Sequence, residues 1–117
     1  MTGIIRIGAN PPPPERGAPA SVLDGEPETL ARNYFTSASG RFFAGVWEST
    51  PGRWPVDYSE DEFCVLLSGR VVLVDESGRA ETFVSGDAFI IPAGFRGTWE
   101  TVEPVRKFYA IHEGERG

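Results

Sequence analysis

Apolar residues along this chain come in short bursts of alternating or continuous character, and none recurs over a useful length at the 3.6-residue spacing of a helix. From about Thr29 onward, turn-forming clusters interrupt the bursts at the 8–12-residue spacing typical of an all-β sandwich or barrel. The breaks are Ser39-Gly40, Pro51-Gly52, Ser68-Gly69, Ser77-Gly78, Ser85-Gly86-Asp87 and Pro92-Ala93-Gly94, each with the backbone freedom or fixed φ that a tight turn needs. Between them the pattern predicts strands over Arg32–Thr36, Phe42–Glu48, Glu62–Leu67, Arg70–Asp75, Ala80–Val84, Ala88–Ile91, Gly97–Thr101 and Val105–His112. The one place that suits a helical turn is Pro27–Ala31, and no internal repeat is present.

Several of these strands are apolar on both faces, Phe63-Cys64-Val65-Leu66-Leu67 most clearly. A half-solvated sheet alternates more cleanly, so two sheets packed together are expected, with one outer face covered by an arm or by a second subunit. The stretch Asn10–Pro27 breaks the pattern. It holds six of the ten prolines, four of them consecutive at Pro11-Pro12-Pro13-Pro14. Proline lacks an amide donor, so this segment is expected to be extended and without regular hydrogen bonding. Gly3-Ile4-Ile5-Arg6-Ile7, just before it, reads as a strand for some sheet edge. The predicted organisation is a strand and proline-rich arm over 1–28, one barrel domain over 29–112 and a short tail over 113–117.

Composition bounds the function. At 117 residues the chain has room for one core. Eight Phe, three Trp and three Tyr suggest that large rings fill much of it. Seventeen carboxylates against 11 basic side chains give a net charge of −6, with a single lysine, Lys107, so a nucleic-acid-binding role is disfavoured. No apolar run approaches the roughly 20 residues needed to span a bilayer, and Met1–Asn10 is too weakly apolar for a signal peptide. The lone Cys64 cannot form an intramolecular disulfide, which fits a reducing, cytoplasmic setting.

Two motifs narrow the fold. Glu62 is followed after six residues by Gly69, and Gly86 is followed after five residues by Pro92-Ala93-Gly94. These resemble the two conserved motifs of the cupin superfamily, G-x5-H-x-H-x3/4-E-x6-G and G-x5-P-x-G-x2-H-x3-N. Gly45-Val46-Trp47-Glu48, Tyr58-x-Glu60-Asp61-Glu62-Phe63, Pro92-Ala93-Gly94-Phe95-x-Gly97-x-Trp99-Glu100 and Val105-Arg106-Lys107-x-Tyr109 are similar to the ureidoglycine-aminohydrolase-like cupins, small single-domain members among them. The resemblance covers roughly 29–112 and implies an all-β cupin fold, a double-stranded β-helix or jelly-roll barrel.

It also implies a metal held by two His and a Glu of the first motif and a His of the second. Here Val56 and Tyr58 stand at the two His positions (Pro55 and Asp57 in the longer spacing), Gly97 stands at the third, and only Glu62 survives. One Glu with a phenol cannot replace three imidazoles. No metal or other cofactor is therefore expected, and the aminohydrolase activity of the resembled family is in doubt.

The candidate site follows from these positions. In cupin register Glu62 points into the barrel, with Cys64 and Leu66 on the same face. A carboxylate there is hard to keep charged unless paired, which would suit acid–base work. Lys107 could pair with it, but alternation does not decide whether Lys107 or Arg106 faces inward. Tyr58 could offer its hydroxyl to a substrate or to Glu62. Trp99 shares strand parity with Gly97, where loss of a His side chain opens space that Trp99 or a ligand would fill. Glu62, Lys107 and Tyr58 are the candidate catalytic residues, and Glu60, Trp99, Cys64 and Trp47 the candidate substrate-binding ones. Cys64 has no His in a recognised arrangement to activate it, since His112 is the sole imidazole and lies outside both motifs. The expected partner is a small polar metabolite bearing a carboxylate, ureido or amide group, with neither nucleic acid nor membrane, in a homodimer. The site would act by binding alone or with turnover.

Overall fold

The computed structural model describes residues 3–114 and contains strands but no helix among them. The strands are β1 (Glu15–Gly17), β2 (Asp24–Gly25), β3 (Thr29–Thr36), β4 (Phe42–Ser49), β5 (Gly52–Asp57), β6 (Asp61–Asp75), β7 (Ala80–Val84), β8 (Ala88–Ile91) and β9 (Arg96–His112). All pairings are antiparallel. The two long strands organise everything else, because β6 and β9 pair with each other from Asp61–His112 to Asp75–Gly97 and run through both layers of a curled sheet. One layer is β1-β3-β4-β9-β6-β8, built on the C-terminal half of β9 and the N-terminal half of β6. The other is β2-β5-β9-β6-β7, built on the remaining halves. This is the jelly-roll barrel that the motifs predict.

The corner between the layers is where the sequence reading needs correcting. Ser68-Gly69 is not a hairpin turn separating two strands. It is an irregularity within β6, with register shifts between Leu66 and Val71. Gly69 has φ +93°, and a Cβ there would run into the Pro104 carbonyl, so glycine is required by both conformation and space. The extra residue reverses strand parity. Before the corner, even-numbered Glu62, Cys64 and Leu66 are buried; after it, odd-numbered Val71 and Leu73 are. Likewise Gly97–Thr101 and Val105–His112 form one strand through Pro104.

Two further expectations change. Pro27–Ala31 is not a helical turn, because Thr29 to Ala31 are hydrogen-bonded on both sides, to β1 and to β4. The proline-rich arm does enter the sheet. Glu15–Gly17, which keep their amides between Pro14 and Pro19, pair with the β3 edge, and Asp24–Gly25 pair with β5. The arm thus crosses from one layer's edge to the other's, anchored by a 2.6 Å bond from Arg32 Nη1 to the Pro12 carbonyl. Gly3–Ile7 joins no strand, and Ile4 and Ile5 are exposed.

The core lies between the layers and contains Trp54, Leu66, Val71, Leu73, Ile91, Trp99 and Val105. On the outside of the first layer, one registered row, Phe35, Ala44, Ala110, Phe63 and Ile90, is apolar across five strands. Phe63 and Ile90 remain 47% and 66% exposed in the single chain.

Candidate functional site

The inward faces of β3, β4, β5, β6 and β9 enclose a cavity of about 670 Å³ at one end of the barrel. Cross-strand register brings Trp47 of β4 opposite Lys107 of β9, and Trp54 of β5 opposite Trp99 of β9. The Lys107 side chain runs along the inner face towards Glu62, and its ammonium lies 2.7 Å from Glu62 Oε2. Both residues are buried, at 3% and 6% exposure, so this is an ion pair withdrawn from solvent.

The ammonium is enclosed on its other sides. It lies 4.8 Å from the Trp47 ring centroid and 4.6 Å from that of Trp99, within cation–π range of both. Its remaining near neighbour is Cys64 Sγ at 3.5 Å, and the thiol in turn donates to Glu62 Oε2 at 3.3 Å. Trp99 is fixed by a buried relay: its indole N–H donates to Thr101 Oγ1 at 2.9 Å, which donates to Ser49 Oγ at 3.1 Å. One of the cation's two aromatic walls, Trp99, is therefore held by hydrogen bonds behind it.

Charge and burial set the proton affinities. Burial alone would lower the Lys107 pKa, but the adjoining Glu62 carboxylate outweighs it and holds the ammonium above its ordinary value. Burial pushes the Cys64 thiol up to about 12, against the pull of Lys107, so it is a poor nucleophile. Burial holds the Tyr58 phenol well above its usual range, and burial followed by Glu62 pushes Tyr109 up to about 12. Each of these four groups keeps its proton more tightly folded than unfolded. Their stabilisation is complete below the unfolded thiol value of 9.0 and is lost as pH rises towards the folded values. The expected melting temperature begins to fall near pH 9 and falls most steeply between about 10.5 and 12, as the phenols and Lys107 join the thiol; a profile that stays level across that window would contradict this arrangement.

Of the candidates from sequence, Glu62, Lys107, Tyr58, Trp99 and Trp47 all line the cavity. Cys64 does not; it sits behind Glu62 with no exposed surface. Glu60 also lies elsewhere, on a second cavity under the arm, where burial and then a hydrogen bond with Glu113 raise its pKa. Sequence reasoning missed Tyr109, Trp54 and Asn33. Tyr109 is two residues from Lys107 and so shares its face, and its hydroxyl donates to Asn33 Oδ1 at 2.9 Å. Pro13 and Glu15 of the arm complete the rim.

The metal implied by the superfamily does not fit these residues. Glu62 Oε2 already receives an ammonium and a thiol, and among the described residues no cluster of three or more His, Cys, Asp or Glu could hold an ion. Gly97 does not open space, as the sequence suggested. A Cβ there would collide with the Val74 carbonyl oxygen, because β6 approaches β9 too closely for any side chain. His112 pairs across from Phe42 and Asp61 at the far strand end.

Comparison with known proteins agrees with this barrel. The sequence model of the EutQ-like cupin domain matches residues 36–109. A DUF861-family protein of unknown function from Pseudomonas syringae superposes with a TM-score of 0.74 at 31% identity, over 83% of this chain and 42% of its own. A DUF861-family protein from Thermotoga maritima has 34% identity and a TM-score of 0.54, over 55% of this chain and 73% of its own. The EutQ protein of Clostridium difficile, at 18% identity and a TM-score of 0.66 over 76% of this chain and 65% of its own, shares the fold. This chain thus spans under half the length of the Pseudomonas protein. No curated protein matches it.

Proposed function

Because this chain belongs to the EutQ-like cupin domain family, we propose that it is a small-molecule-binding cupin whose barrel site works through Glu62, Tyr58 and Lys107 without a transition metal. The observation that carries this reading is the 2.7 Å Lys107–Glu62 pair on the wall of an open cavity. An organic cation meets the carboxylate that would otherwise be a metal ligand. Lys107 acts as a positioning residue: its ammonium is spent on Glu62, Cys64 and two indoles, and what it does is aim the carboxylate. Glu62 Oε1 and the Tyr58 hydroxyl have no partner among the described residues, yet no enclosed polar side-chain atom is left unsatisfied. Both atoms are thereby offered to the cavity, where Glu62 can accept a hydrogen bond or a proton and Tyr58 can donate one. The resemblance to ureidoglycine-aminohydrolase-like cupins would carry a metal-dependent hydrolysis, which this donor set does not favour.

All three tryptophans of the chain line this cavity, so their fluorescence reports on its contents. A screen of small amides, ureido compounds and carboxylates is expected to find a saturable change in emission. Glu62→Gln should weaken it markedly without removing it. The variant is expected to melt below wild type, because the amide still accepts from Lys107 but no longer neutralises the buried ammonium, so the titration is read well below its melting temperature. An unchanged titration in Glu62→Gln would defeat the assignment.

A further inference from the structure

We propose that the cavity takes a flat ligand that donates N–H hydrogen bonds and carries no negative charge, an amine, amide or amidine on a planar frame, and that it discriminates against carboxylates. The inference rests on reading this cavity as a binding site, and it follows from an inventory of what its walls still have to offer. Among the described residues, the one basic side chain on the wall is Lys107, and its ammonium is occupied by Glu62 Oε2, Cys64 Sγ and the Trp47 and Trp99 faces. No cation remains among these residues to receive an anion.

Two of the free groups on the wall are acceptors, and the donors without a partner among the described residues, the Trp47 and Trp54 indole N–H groups and the Thr36 hydroxyl, are all neutral. Glu62 Oε1 has no donor among the described residues. The Tyr109 hydroxyl has given its hydrogen to Asn33 Oδ1, which leaves its oxygen facing the cavity as an acceptor. The Tyr58 and Thr36 hydroxyls can play either role. Formal charge points the same way: Glu62 and Glu15 line the cavity against one lysine, within a chain of net charge −6. A carboxylate entering here would meet the Glu62 and Glu15 carboxylates with no free cation beside them, and like charges repel.

The walls add shape. Trp54 and Trp99 are nearly parallel, at 27° with centroids 6.4 Å apart, and Trp47 meets Trp99 edge-on at 84°. Trp99 and Trp54, at 1% and 7% exposure, back the wall, and the partly exposed Trp47 is the indole that a flat or cationic partner can meet.

Benzamidine, benzamide and benzoate test this directly, because they share one ring and differ in a cationic donor, a neutral donor and an anionic head. Titrated at neutral pH into the full chain and followed by tryptophan fluorescence, benzamidine and benzamide are expected to bind at least about 10-fold more tightly than benzoate. Glu62→Gln should bring the benzamidine-to-benzoate ratio close to one. If that variant does not fold, Glu15→Gln on the exposed β1 strand should narrow the same ratio. Benzoate binding as tightly as benzamidine to wild type, or a ratio unmoved in a folded Glu62→Gln, would overturn the proposal while leaving the cavity a binding site. If none of the three binds at millimolar concentration, the binding-site reading falls and this proposal falls with it.

Discussion

Replacing Lys107 by Met is expected to cost about 3–5 kcal/mol of folding stability, because it strands the Glu62 carboxylate in a dry site. Methionine roughly matches the lysine stem in length and keeps contact with Trp47 and Trp99, so packing changes little and charge changes wholly. The Cys64 thiol remains as a donor to Glu62 Oε2, but a thiol is a weak one. Urea denaturation at neutral pH measures the effect as a shift in midpoint at constant slope. The double variant Lys107→Met with Glu62→Gln removes both charges and should recover most of the loss, since an apolar or neutral replacement of a buried pair is often close to neutral. A single-variant loss below about 1 kcal/mol would mean that the pair is solvated and that the burial assigned to it is wrong.

Gly97→Ala is the second large effect, expected to destabilise by about 3 kcal/mol or more. The reason is backbone, not cavity: the added methyl would collide with the Val74 carbonyl oxygen, and neither strand of the β6–β9 ladder can retreat without breaking its neighbours. Gly97→His, the change that would restore the superfamily's third ligand, should therefore unfold the barrel and not rebuild a metal site. Gly114→Ala, with open space around it, serves as the control and should stay within about 0.5 kcal/mol of wild type. A folded Gly97→His of near-normal stability would contradict the close approach of β6 to β9.

How far the sequence revealed this site depends on where strand parity could be followed. Glu62, Cys64 and Leu66 lie within an uninterrupted strand segment, and their shared inward face was legible from alternation alone. Lys107 was not assignable, because Arg106 and Lys107 compete for the inward face and the strand was read as two pieces, 97–101 and 105–112, so parity could not be carried over from Trp99. In the folded chain β9 continues through Pro104, and Trp99, Thr101, Val105, Lys107 and Tyr109 are buried on one parity. Strand β5 was invisible for a related reason. Pro51-Gly52 and Pro55 read as loop, although Trp54 between them is buried and Pro55 sits exposed within a paired strand. The arm's contribution depends on which edge residues 15–17 and 24–25 find, a long-range matter that local composition does not encode.

The burial of Cys64 shows the same division. Its place on the inward face came from parity, but its position behind Glu62, out of the cavity, depends on the Lys107 side chain reaching back from β9. Gly97 is the sharpest case. By alignment with the superfamily motif it looked like a vacated ligand position, and only the approach of the Val74 carbonyl shows that no side chain could stand there.

Glu62 has an ammonium for its partner where the superfamily motifs imply a metal ion. Elemental analysis of protein purified without chelators, incubated with manganese, zinc or nickel and then dialysed, tests this most directly. The expected result is far less than one metal per chain, in wild type and Glu62→Gln alike. One tightly held ion per chain that disappears in Glu62→Gln would contradict it.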